Sequence, residues 1–165
     1  MYNPIFRQEV SDPDLIKIGK ININWAAADN FLGNCVNWAV PVNGNTAREL
    51  LVYVIDTRKK LDILKKILKK KKFDEPIPQL ITENIWVHSN WIEERNVVAH
   101  GYIIGGADNA SLMSSKKQIK YDLKNLDRYL DHSSYACDVA LRLNLAFTSS
   151  AAELAFSRSW KGRPT

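Results

Sequence analysis

Proline and glycine cut this chain into four lengths of helical pattern, and that punctuation limits the fold more than any other feature. Pro41 with Val42-Asn43-Gly44-Asn45, then Pro76 and Pro78, then Gly101, each ends a run in which apolar residues recur at steps of three and four. The first run spans about Asp14 to Ala39 and carries Ile16, Ile21, Trp25, Ala28, Phe31, Leu32, Cys35 and Val36. The second spans about Thr46 to Lys71. Its Leu50 to Ile55 stretch alone can pass for a buried strand, but Leu61, Leu64 and Leu68 continue the helical spacing with no turn residue between.

The third run, about Gln79 to His100, places Ile81, Ile85, His88, Ile92, Arg95 and Ala99 on one broad face, and Gly101 follows as its natural C′ residue. Tyr102 to Asn109 then changes character and, with Gln118 to Tyr121, suits a small hairpin or an irregular loop. Asp122 reads as the N-cap of a fourth helix that ends near residue 148. The pattern predicts an all-α, four-to-five-helix up-and-down bundle, with a small hairpin or loop insertion after the third helix. Residues 1–150 form one domain in this reading, and 151–165 a weakly ordered C-terminal tail.

A chain of 165 residues with 45% hydrophobic and 25% charged side chains can bury one good core and is short for two. No apolar run approaches the roughly 20 residues of a membrane span, and the N-terminus lacks an apolar signal region, so a soluble, cytoplasmic protein is expected. Cys35 and Cys137 lack the close pairing of a zinc or redox motif and are expected as buried free thiols. The sequence has no phosphate-cradling glycine loop, no His/Cys metal spacing and no nucleophile elbow, so neither a metal nor a cofactor is expected.

Chemistry concentrates in Glu94-Arg95-Asn96-Val97-Val98-Ala99-His100-Gly101. Arg95 can offer a planar fork to a phosphate, and His100 is of the residue type that exchanges protons near neutrality. Charge stabilisation and general acid/base catalysis are the two tasks in attack by a ribose 2′-hydroxyl on its neighbouring phosphate. On an ideal helix, residues five apart differ by about 140°, so Arg95 and His100 diverge, whereas Asn96 and His100 project together. Arg95 must reach across with its stem, or the helix must loosen before Gly101, or two copies must combine. A face-to-face homodimer meets this constraint most simply.

A helical bundle whose third helix ends in Arg95-Asn96-x-x-x-His100-Gly101 resembles the HEPN superfamily (higher eukaryotes and prokaryotes nucleotide-binding). The resemblance spans about residues 14–148, with its specific part in eight of them. It implies a metal-independent endoribonuclease of the toxin or phage-defence kind, commonly dimeric, with Arg95 and His100 as the catalytic pair and Asn96 accompanying them. It also implies RNA as substrate and the possibility of an antitoxin or other regulatory protein as partner. Other members of the superfamily are non-catalytic RNA- or protein-binding modules, which is the alternative reading for this chain.

Over the whole chain, 23 basic against 18 acidic residues give a net charge of +5, with much of the excess between Lys59 and Lys72. Lys65, Lys66, Lys69 and Lys70 lie mostly opposite the apolar arc of that helix. Such a face can track RNA phosphates; it is also what a solvated helix end looks like. His88 lies seven residues before Arg95 on nearly the same face, as a core histidine or an addition to the site. His132 has no evident partner. Trp25, Trp38, Trp86 and Trp91 read as core or interface residues rather than base-stacking platforms.

Overall fold

The computed structural model describes residues 10–40, 56–104, 111–113 and 120–148. The Pro41 to Asn45 turn, the expected helical residues 46–55 and the tail 151–165 lie outside them. Among the described residues, four α-helices form the bundle: α1 (Asp12–Ala39), α2 (Thr57–Lys70), α3 (Ile77–His100) and α4 (Leu126–Thr148). Their starts follow from local chemistry. The Ser11 hydroxyl accepts from the Asp14 amide at α1, and the Asp56 carboxylate accepts from the Lys59 amide at α2. Pro13 and Pro78 stand in the first turns of α1 and α3, where a missing N–H costs nothing.

Asp56 corrects one expectation. As N-cap it is extended (φ −63°, ψ 160°), so no single helix runs unbroken from residue 46 to residue 71. The leucine spacing beyond Asp56 is that of a helix begun afresh.

The core takes Ile21, Trp25, Ala28, Leu32, Cys35 and Val36 from α1, and Leu61 and Leu64 from α2. From α3 come Leu80, Ile81, Val87, Trp91, Val97 and Val98, and from α4 Tyr129, Ala136, Val139, Ala140 and Leu143. Burying each large aliphatic side chain contributes roughly 1.5–3 kcal/mol. Ile16, expected on the buried stripe, is 57% exposed, because the inward face of α1 begins only at Ile21. Trp38 is exposed too, whereas Trp25 and Trp91 are buried. Both cysteines are free thiols, Cys35 buried and Cys137 half-buried.

Helix directions follow from named contacts. Lys17 pairs with Asp127 at 2.8 Å and Asn24 bonds Ser133 and Ser134, so α1 and α4 run parallel. Asn84 bonds the Val139 carbonyl while Glu94 meets His132, so α3 and α4 run antiparallel. The all-α bundle is as the sequence predicts, with alternation across the α3/α4 pair. Thr57 and Lys60 of α2 both meet Asp29, in the middle of α1.

The insertion after α3 is a three-stranded antiparallel sheet in the order β1 (Tyr102–Ile104), β2 (Ser111–Met113), β3 (Lys120–Asp122). The central strand, which pairs Ile103 with Leu112 and Leu112 with Tyr121, is the part a two-stranded hairpin omits. Leu112 anchors it in the core. Asp122 does act as a cap: its carboxylate accepts from the Lys124 amide over a single 3₁₀ turn, Leu123–Asn125, that leads into α4.

Gly101 is needed for space rather than for a left-handed conformation, since its backbone is extended (φ −75°, ψ 165°). A Cβ there would press into the Val97 carbonyl oxygen and stand 2.9 Å from that of Met113. Gly101→Ala should therefore destabilise the protein by about 1–3 kcal/mol in urea titrations. Gly19→Ala, on a helical position with nothing within 4 Å, should stabilise it by roughly 0.5–1 kcal/mol.

Candidate functional site

Arg95, Asn96 and His100 occupy the last turns of α3, which stays regular to its end: the Gly101 amide still reaches the Val97 carbonyl at 2.7 Å. Arg95 Nη1 donates to Asn96 Oδ1 at 3.0 Å and lies 3.5 Å from His100 Nε2. The helix does not loosen. The arginine stem spans the angular gap instead, and the Asn96 side-chain carbonyl steers the guanidinium toward the imidazole. The three side chains thus converge within one chain, and a second copy is not needed to bring them together.

Among the described residues no acidic side chain pairs with Arg95. Glu94, its neighbour in sequence, points about 100° away around the helix and accepts from or shares a proton with His132 Nδ1 at 2.7 Å. Trp91 stacks on that imidazole, with centroids 4.0 Å apart and planes 5° from parallel. Trp91 also meets Tyr135 edge-on, and the Tyr135 hydroxyl donates to Glu83. This polar and aromatic seam joins α3 to α4 directly behind the motif. Glu94 and His132 are 38 positions apart, so no local spacing announces their pairing.

One turn from Arg95 the same face of α3 enters a cleft against α2. It has a volume of about 410 Å³ and is lined by Arg58, Leu61, Asp62 and Lys65 of α2 and by Ile85, His88, Ser89 and Ile92 of α3. Lys60, also on α2, turns away to α1. That side chain is only 3% exposed, and its Nζ donates to the Asp29 carboxylate at 2.7 Å and the Asp29 carbonyl at 3.2 Å. Thr57 donates to the same carboxylate. Of the lysines in the basic stretch, Lys65, Lys66, Lys69 and Lys70 are exposed, and Lys65 belongs to the cleft.

His88 is a buried histidine on the cleft wall, 6% exposed, with its ring edge-on to Trp25 at 5.3 Å. Neither ring nitrogen has a hydrogen-bond partner among the described residues. Each such unanswered group costs about 1–3 kcal/mol. Burial pushes the His88 imidazole down to about 4; Asp29 opposes the shift, while Arg95 and Lys60 add to it. The ring is therefore neutral at pH 7. Among the described residues no cluster of three or more His, Cys, Asp or Glu side chains is placed to hold a metal ion, and no helix is long and apolar enough to cross a membrane. No family model, curated protein or solved structure matches the chain.

A histidine whose folded pKa lies below its unfolded one stabilises the neutral form, so the unfolded chain binds more protons between the two values. Stability should accordingly fall as pH drops from about 6.5 to about 4, by roughly 3 kcal/mol from this group. In urea melts over that window, His88→Phe should show a slope shallower than wild type by that amount. Equal slopes would mean that the ring is not buried neutral.

Proposed function

We propose that this protein is an endoribonuclease of the HEPN kind, cutting RNA by 2′-hydroxyl attack without a metal, in the manner of toxin or phage-defence ribonucleases. The observation that carries the reading is the convergence of Arg95, Asn96 and His100 at the open end of α3, with the Arg95 fork uncommitted to any described carboxylate. In this reading the guanidinium holds the scissile phosphate and stabilises the charge that builds on it. His100 Nε2, 3.5 Å from the guanidinium, takes the proton of the 2′-hydroxyl. The 2′-oxygen bonds to phosphorus, the bond to the 5′-oxygen breaks, and that oxygen leaves with a proton. The products are a 2′,3′-cyclic phosphate and a 5′-hydroxyl.

Asn96 is a positioning residue, since it touches the guanidinium. A homodimer with facing motifs would supply a second imidazole for the leaving-group proton, and an antitoxin covering the same end of the bundle would silence it. The exposed lysines of α2 supply sequence-independent attraction for the RNA backbone. The cytoplasm, where RNA is abundant, is the compartment that suits this activity.

The deciding experiment incubates the purified protein with RNA in excess chelator and analyses the ends. Cleavage should persist and leave 2′,3′-cyclic phosphates. His100→Ala should lower the rate by about 10²- to 10⁴-fold with RNA binding little changed. Arg95→Lys should fail as well, because lysine keeps the charge without the two-pronged grip. Chelator-sensitive cleavage, or wild-type rates in His100→Ala, would remove the mechanism and put the non-catalytic binding module in its place.

Replacing Lys65, Lys66, Lys69 and Lys70 together by Gln should flatten the dependence of RNA affinity on salt, by about 0.7 in log–log slope for each phosphate no longer neutralised. An unchanged slope would reduce these lysines to a solvated helix face.

A further inference from the structure

Among the described residues, the large hydrophobic side chains that stand exposed all belong to α1: Leu15, Ile16, Ile23 and Trp38, each 49–68% exposed. We infer that this face of α1 is a homodimer contact, in which two copies lie antiparallel about a twofold axis at Ala27 and Trp38 of each covers Ile16 of the other. The contact is independent of the ribonuclease reading, which gives α1 no task.

The exposed positions form one stripe. From Ile16 they recur at Lys20, Ile23, Ala26, Asn30, Asn34 and Trp38, all within about 60° of the line through Ile23 at 100° per residue. Buried Ile21, Trp25, Ala28 and Leu32 occupy the other side, so the stripe points away from the bundle. Isoleucine and tryptophan on a helix face turned to water mark a surface that something covers. Charge on it is sparse. Lys20 is exposed there, whereas Lys17 and Asp29 are drawn away to Asp127 and Lys60.

Self-complementarity identifies the second copy as the occupant. A twofold contact pairs residue i with j and j with i, so a helix that meets its own copy antiparallel must match itself when reversed about its centre. The centre between Ile16 and Trp38 is Ala27. Reversal about it sets Lys20 opposite Asn34 and Ile23 between Asn30 and Asn34. The indole then covers the isoleucine, the ammonium meets a side-chain carbonyl, and Ala26 and Ala27 let the backbones approach at the axis. A parallel pair would instead set Lys20 on Lys20 and align the two helix dipoles, both unfavourable. Size sets the strength. A stripe roughly 33 Å long and one helix width of about 10 Å across is small beside a permanent interface, so the dimer is reversible.

The contact is not one that faces motif to motif. Asn24 and Glu94 meet adjacent residues of α4, Ser133 and His132, so the end of α3 lies level with the N-terminal half of α1. Antiparallel copies carry their Arg95 motifs on opposite sides of the axis.

The test is sedimentation equilibrium of the full chain from micromolar to millimolar concentration, where wild type should show a reversible monomer–dimer equilibrium. Ile23→Lys and Trp38→Lys, both at exposed positions and so without cost to the core, should each weaken it tenfold or more. Asn34→Glu should tighten it severalfold, since the twofold axis supplies two new pairs with Lys20. Under mild oxidation Ala27→Cys should cross-link at the axis, whereas Lys20→Cys, roughly 21 Å of helix rise from its copy, should not. Wild type, with its free Cys35 and Cys137, is the control.

A wild type that stays monomeric at millimolar concentration would overturn the inference. So would a dimer that both lysine variants leave unmoved, which would point to facing motifs instead. Weakening by Asn34→Glu together with cross-linking of Lys20→Cys would mean parallel helices and remove the antiparallel register. RNA cleavage is measured separately, and its presence or absence leaves the α1 contact where sedimentation puts it.

Discussion

The ion pair between buried Lys60 and half-buried Asp29 fixes the start of α2 against α1, and the cleft between α2 and α3 depends on that placement. Lys60 gives up nearly all its hydration for one carboxylate and one carbonyl of α1. A buried ammonium is tolerated only when so answered, and removing one partner of such a pair typically costs about 3–5 kcal/mol. Thr57 donates to the same Asp29, so the first turn of α2 is tied to the middle of α1 at two points. With its start held there, α2 forms with α3 a cleft that Ile92 lines. The cleft lies between the two helices, and the turns of α3 beyond Ile92 carry the motif.

The same logic explains why a helical motif of unfavourable spacing can still be a site. A five-residue interval places two side chains about 140° apart, an arrangement that short residues could not repair. Arginine can, because its stem is long and the guanidinium needs only one fixed hydrogen bond to hold its plane. Asn96 provides it from the face that His100 shares. Glu94, which could have captured the guanidinium, is itself held by His132 under the Trp91 ring. The seam between α3 and α4 therefore does two jobs: it fixes the end of α3, and it keeps the nearest carboxylate away from Arg95.

Much of this was legible in the sequence, and the reasons for the rest are physical. Apolar periodicity and proline punctuation gave α1, α3 and α4 to within two to four residues of their ends, since those signals are local. They gave the Arg95, Asn96 and His100 constellation for the same reason. Asp56 was also visible as an acid, but its capping role depends on the backbone turning extended there, which the continuing leucine pattern conceals. β2 was hidden because three residues carry no usable periodicity, and it is the burial of Ser111 and Leu112 that marks them. The parallel course of α1 and α4 rests on pairings such as Lys17 with Asp127, and periodicity says nothing about direction. Glu94 with His132, and Lys60 with Asp29, are meetings of residues distant in sequence.

His88 and His100 show how one residue type is assigned different tasks by depth. His100 stands at the exposed end of α3, where a substrate and solvent protons can both reach it. His88 is sunk among Trp25, Lys60 and Arg95, in surroundings that suppress its charge and leave its two nitrogens as a plain donor and acceptor. A charged imidazole there would stand as a third cation with Arg95 and Lys60, and burial beside Trp25 withholds the water that would screen it. Depth alone thus sets two rings about three turns apart on one helix in opposite surroundings, one sealed in the core and one open to solvent.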